Sequence, residues 1–99
     1  KILRGLRKTI AAEEVLRDTL LRRNSDPNLW FLLSEIQKEN LNVGGYHQSR
    51  AEYFILLGQS ERALNELQFA LKLSQDNFQT YEIIMTKINS LREKLNKRI

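Results

Sequence analysis

The chain of 99 residues contains no cysteine, one proline, one histidine and one tryptophan. Without cysteine there is no disulfide and no thiolate metal site, and the redox state of the compartment stays open. A lone His47 excludes the paired histidines of an HExxH zinc site and leaves no second base for a Ser/His/Asp set. The four glycines form no phosphate loop. No window approaches the roughly 18 unbroken apolar residues of a membrane span. The basic opening KILRGLRKTI is followed by no apolar stretch of the signal-peptide kind. Because the first residue is Lys1, the chain is expected to be a fragment of a longer protein, a single helical domain over 1–99 whose missing N-terminal signals say nothing about compartment.

Charge is abundant but segregated. The net charge is +4, made of +4 over residues 1–24, −4 over 25–86 and +4 over 87–99. Phosphate recognition needs cations gathered on one surface. Here they sit at two separate ends, so a nucleic-acid partner is not expected and solvated helix ends explain the basic excess. Apolar residues at 41% and charged residues at 28% fit one modest folded core.

Helical period runs through the whole chain, and no stretch alternates apolar and polar residues as a strand would. Leu16, Leu20 and their neighbours Val15 and Leu21 mark a first helix, with Glu13 and Arg17 one turn apart. Asp26 and Pro27 signal the start of a second helix at about 27–40, as cap and first-turn residue. LNVGG is expected to break it through Gly44 and Gly45. A third helix at about 45–57 should end at Gly58, suited to the left-handed position after a helix. Ser60 is expected to cap a fourth at about 61–73, and Asp76 with Gln79 to form a capping box for a fifth at about 77–97. Loops of a few residues between helices force antiparallel neighbours.

Small residues carry the most specific signal. In AEYFILLGQSERALNELQFALKL, the residues Ala51, Phe54, Gly58, Ala63, Leu67 and Ala70 are spaced by 3, 4, 5, 4 and 3. A helix that only needed a core face would carry Leu where Ala63 and Ala70 stand, so a second backbone passes close there. This is the helix–turn–helix pattern of a tetratricopeptide repeat, about 34 residues long; an antiparallel hairpin of no named family is the plainer alternative. The clearest repeat spans 44–77, and the expected fold is an all-α, right-handed solenoid of about five helices with a long C-terminal helix at 77–97. Ala12, Leu16 and Thr19 read as the second helix of a preceding repeat, and Trp30 with Leu33 as the first helix of the next. On that reading two consecutive helices are both first helices, so either the register slips or one helix is not part of a repeat.

The stretches NLWFLLSEIQ, HQSRAEYFILLGQSERALNELQFALKL and DNFQTYEIIMTKINSLREKL resemble the C-terminal repeats of the bacterial periplasmic HExxH zinc metalloproteases typified by the β-barrel assembly-enhancing protease. His47, Arg50, Ala51, Glu52, Tyr53 and Phe54 carry most of the likeness, which covers roughly 12–97. The resemblance implies a periplasmic location, zinc in the parent protein rather than in this chain, and partners among outer-membrane proteins and their assembly machinery. Catalysis is not expected from this chain alone.

The inward face of such a solenoid takes peptides. Phe31, Glu35, Gln48, Glu52 and Ile55 are the candidate partner-binding residues, with a plain solvated face as the alternative. Trp30, Phe54, Phe69, Phe78 and Tyr81 are expected in the core, and His47 packed or facing solvent. The acidic middle of the chain favours a basic or polar extended segment. Tyr81, Ile84, Ile88, Leu91 and Leu95 are spaced as a short coiled-coil seam. They are read as the inner face of a capping helix, or alternatively as a surface for self-association.

Overall fold

The computed structural model describes residues 2–97, with side chains from residue 8 onward. Five helices follow one another: α1 (Ile2–Arg22), α2 (Pro27–Glu39), α3 (Val43–Leu56), α4 (Ser60–Leu73) and α5 (Phe78–Lys97). Among the described residues there is no strand. Each helix packs against its neighbours in sequence, and the backbones of non-consecutive helices do not come together. The result is an all-α, repeat-like stack measuring 53 × 30 × 19 Å, with a radius of gyration of 14.2 Å. A near-spherical domain of this length would show about 13 Å, so the stack is elongated.

The turns explain where the helices stop. After α3, Gly58 has φ 76°, and the amides of Gly58 and Gln59 donate to the Ile55 and Phe54 carbonyls. After α2 the same paired bonds recur, from Leu41 to Lys38 and from Asn42 to Gln37. There the left-handed residue is Leu41, at φ 61° and 83% exposed. A side chain at that backbone conformation costs about 1–2 kcal/mol, which Gly58 avoids.

Several terminus expectations are corrected. The α2–α3 break is made by Leu41 and Asn42, while Gly44 and Gly45 lie inside the first turn of α3. Asn42 caps α3 through its side-chain oxygen, which accepts from the Gly45 amide at 3.1 Å. Gln59, not Ser60, stands at the α4 N-cap, and it makes no side-chain cap bond. Asn77, not Asp76, accepts from the Thr80 amide at the start of α5. A carboxamide one residue nearer the helix is better placed than Asp76. Asp26 caps α2 as its position implied, accepting from Asn28 at 3.0 Å.

Five of the buried positions are related by one interval. Leu20, Phe54 and Ile88 are buried 34 residues apart on α1, α3 and α5, and Leu33 and Leu67 are buried 34 apart on α2 and α4. On this interval α1 aligns with α3 and α5, and α2 aligns with α4. On that alignment Trp30 and Leu33 stand on the helix that corresponds to α4. Two consecutive helices looked alike in sequence because Trp30 carries the bulk expected of a first helix.

Two hydrophobic cores result. The larger gathers Ala51, Phe54, Ala63, Leu67, Ala70, Ile84, Ile88 and Leu91 from α3, α4 and α5. Ile84, Ile88 and Leu91 lie inside it, so the seam on α5 faces inward. The smaller joins Leu16 and Leu20 to Leu33, with Leu29, Trp30 and Ile36 partly buried around them. Val15 and Leu21 point outward instead, and so do Phe69 and Phe78, contrary to their expected burial. Phe78 is the first residue of α5 and Phe69 sits across α4 from the buried Leu67 line, so neither reaches the α3–α5 interior.

Candidate functional site

Between the two cores lies a polar layer. Ser34, Gln37 and Ser49 are buried at the α2–α3 contact, where a second apolar seam would be the common solution. The Ser49 hydroxyl donates to Gln37 Oε1 at 2.6 Å, and Gln37 Nε2 donates to Glu13 Oε2 at 3.4 Å. Glu13 also accepts from Asn40 at 2.8 Å, from Asn42 at 3.3 Å and from Arg17 at 2.7 Å. One carboxylate on α1 thus fastens α2 and the cap of α3. A Cβ on Gly45 would fall 2.5 Å from Asn42 Nδ2 and 2.6 Å from Gln37 Nε2, so only glycine lets these amides reach Glu13 and Ser49. Burial pushes the Glu13 carboxyl up, but hydrogen bonds from Asn40 and Arg17, the Arg17 charge and the Gln37 amide outweigh it. The net effect holds Glu13 below the ordinary carboxylate value. Asn40 Nδ2 faces two acceptors, Glu13 and the Thr9 carbonyl, which fixes the amide's orientation. Its Oδ1 is left buried with no partner among the described residues.

Above this layer opens a groove of about 590 Å³. Trp30, Leu33 and Gln37 of α2 form its floor, Asp18, Leu20 and Leu21 of α1 one wall, and Gln48, Ser49 and Glu52 of α3 the other. Alternate helices make the walls because close backbone approach is confined to sequence neighbours, which leaves α1 and α3 on the same side of α2. Lys87 of α5 closes one end, its ammonium 3.0 Å from Glu52 Oε2. Asn24 lines the groove where α1 turns into α2, and its carbonyl accepts from the Trp30 indole at 2.8 Å. The tryptophan is thereby held edge-on to the loop with its face partly open.

The five residues expected to share one binding face are divided. Gln48 and Glu52 line the groove. Phe31 does not: its ring lies 5.4 Å from that of Tyr53, outside the groove, and is 44% exposed. Glu35 is exposed on α2 away from the lining, and Ile55 packs against the α3–α5 core. The physical cause is the phase of α2. Its groove stripe is Trp30, Leu33 and Gln37, spaced by 3 and 4, so Trp30 takes the place assigned to Phe31. The α1 residues and Lys87 went unrecognised; of these only Asp18 is marked by the 34-residue interval, which relates it to Glu52.

A second side-chain cluster sits on α3 and α4. His47 Nδ1 is 2.7 Å from Glu66 Oε1, Arg50 is 3.4 Å from the other Glu66 oxygen, and the His47 ring stacks on Phe69. Arg50 also lies over the Tyr46 and Phe54 rings. These groups satisfy one another across the hairpin. Among the described residues no three His, Cys, Asp or Glu gather as a metal site would require, and no helix is long and apolar enough to cross a membrane.

No family model, curated protein or solved structure matches the chain.

Proposed function

We propose that the chain is a tetratricopeptide-like interaction module that holds an extended polypeptide segment in the groove over α2. The observation that carries this reading is the groove itself. It has an apolar floor in Trp30 and Leu33, and the side-chain amides of Asn24 and Gln48 on its rim have no partner among the described residues. Such amides offer a donor and an acceptor to a peptide backbone, while the floor takes side chains, the combination common to binding clefts. The 34-residue interval of buried positions supports a repeat of tetratricopeptide length.

In this reading the chain performs no chemistry. It presents a segment to a catalytic domain elsewhere in a parent protein. By resemblance that parent is a periplasmic zinc metalloprotease concerned with outer-membrane protein assembly and quality control, with the zinc held by its own domain. A parent sequence carrying an upstream HExxH and a signal peptide supports this assignment, and one carrying neither leaves a generic repeat scaffold. Self-association through the α5 seam is disfavoured because Ile84, Ile88 and Leu91 are buried. Photoreactive residues at Gln48 and Asp18, compared with Arg62 and Lys72 on α4, test the groove directly with a bound polypeptide. Crosslinks from the first pair support it, and crosslinks confined to the second pair overturn it.

A further inference from the structure

The two walls of the groove carry an acid at the same repeat position. Asp18 of α1 and Glu52 of α3 are 34 residues apart, and both line the groove. Their surroundings differ. Glu52 is neutralised by Lys87, which the next inner helix, α5, brings to 3.0 Å. The residue on α3 that stands to Asp18 as Lys87 stands to Glu52 is Tyr53, 35 positions on in each case, and it carries no charge. Tyr53 is engaged elsewhere, against Phe31 at 5.4 Å and Phe54 at 5.4 Å.

Two of the cations near Asp18 are committed elsewhere. Arg17, beside it in sequence, turns its guanidinium to Glu13 at 2.7 Å, and Arg23 lies 3.6 Å from Asp26. Among the described residues Asp18 has no ion-pair partner, Arg22 one turn along included. The groove therefore has two acids, Asp18 and Glu52, and two cations, Lys87 paired with Glu52 and Arg17 paired with Glu13, so that Asp18 is the acid left without an ion pair. Next to the open acid are Leu20, Leu21 and the partly exposed face of Trp30.

Resting on the peptide-binding reading above, we infer that the groove selects an extended segment carrying a lysine or arginine close to an aliphatic side chain. The ligand's cation pairs with Asp18, taking the part that Lys87 takes at Glu52. Its aliphatic neighbour lies on Trp30 and Leu33, and its backbone is met by the Gln48 and Asn24 amides. In an extended strand, residues two apart point to the same side at a separation of about 7 Å, a spacing that lets one side chain reach Asp18 while the other rests on the floor. An acidic segment meets uncompensated Asp18 and is rejected.

Trp30 is the sole tryptophan and lines the groove, so its fluorescence reports occupancy without a label. Three blocked heptapeptides that share one leucine and carry lysine, glutamine or glutamate two residues further on are titrated against the intact chain. The expected order is lysine tighter than glutamine by about threefold to fivefold, the scale of an exposed ion pair, with glutamate weakest. Asp18→Asn should remove the preference and Asp18→Lys should reverse it. Unaltered circular-dichroism melts, expected because Asp18 is exposed, keep folding out of the comparison. Equal binding of all three peptides, or an order indifferent to Asp18→Lys, overturns the cation assignment and leaves the peptide groove standing. Binding of none of them overturns the groove reading and the assignment with it.

Discussion

Ala51, Ala63 and Ala70 are fully buried in the second hairpin, and the residues 34 positions earlier are Arg17, Leu29 and Ile36. Small side chains let α3 and α4 join a continuous apolar core with α5. At the same positions the first hairpin carries bulk and a charge, and Leu29 and Ile36 stay only partly buried around a three-residue core. What α1 and α2 lack in apolar contact is supplied by the Glu13 hydrogen bonds. Hydrogen bonds are directional and leave space between side chains, whereas an apolar crossing closes it. The half with the looser, polar cohesion supplies the floor and one wall of the groove, and α3 supplies the other wall.

The largest difference is expected from the matched leucines. Leu67→Ala opens a cavity in the large core and should lower stability by about 3–4 kcal/mol, within the range of such truncations. Leu33→Ala, 34 residues earlier, should remove less, about 2 kcal/mol, because the site borders the groove and can collapse. Chemical denaturation of both variants gives the comparison, and a larger loss at Leu33 would invert it.

Next in size is the reciprocal change of bulk. Ala63→Leu, which gives the second hairpin the residue that the first carries at Leu29, should overpack the crossing by about 1–3 kcal/mol. Leu29→Ala should cost about 1–2 kcal/mol, since that side chain is only partly buried. An unchanged melting temperature in Ala63→Leu would mean the alanines do not mark a close approach.

Glu13→Gln should cost about 1–3 kcal/mol, because an amide NH2 would face the Asn40, Asn42 and Gln37 amides and the Arg17 ion pair would vanish. Glu13 also sets a pH dependence. Its carboxyl is held below the ordinary value in the folded chain, so the stabilisation is fully present above the unfolded value, about 4.3. It is lost as pH falls from there through the lowered folded value. Unfolding followed between about pH 6 and pH 3 should show this acid limb in the native chain and a weaker one in Glu13→Gln.

The smallest effect runs the other way. Leu41 occupies the left-handed position that Gly58 fills one turn later in the stack, with 83% of its surface exposed and little packing to lose. Leu41→Asn should raise stability by about 0.5–1 kcal/mol, since asparagine tolerates that conformation. A loss of stability would show that the Leu41 side chain makes contacts that matter.

The helices and the close crossing were legible because periodicity and small-residue spacing are local properties of the chain. Ala51, Ala63 and Ala70 at helical spacing need no knowledge of the rest of the molecule. Helix ends were less so: Leu41 makes the left-handed turn where Gly44 and Gly45 were expected to break the helix, and Asn77 takes the cap expected of Asp76. The groove was half legible. Gln48 and Glu52 share a stripe on one helix, but the opposite wall comes from α1, about one repeat earlier, and the phase of α2 decides between Trp30 and Phe31. That phase depends on Glu13, Gln37 and Ser49 meeting across three helices, a long-range polar contact with no signature in any one segment.

Amide hydrogen exchange, resolved by helix and followed with and without the lysine heptapeptide, tests most directly whether the polar half is the binding half. The expected result is that α1 and α2 exchange through openings of lower free energy than α3 and α4 in the free chain, and that α1, α2 and α3, which line the groove, gain protection over α4 when the peptide is bound. Equal protection of both hairpins in the free chain, or protection gained on α4 instead, would contradict it.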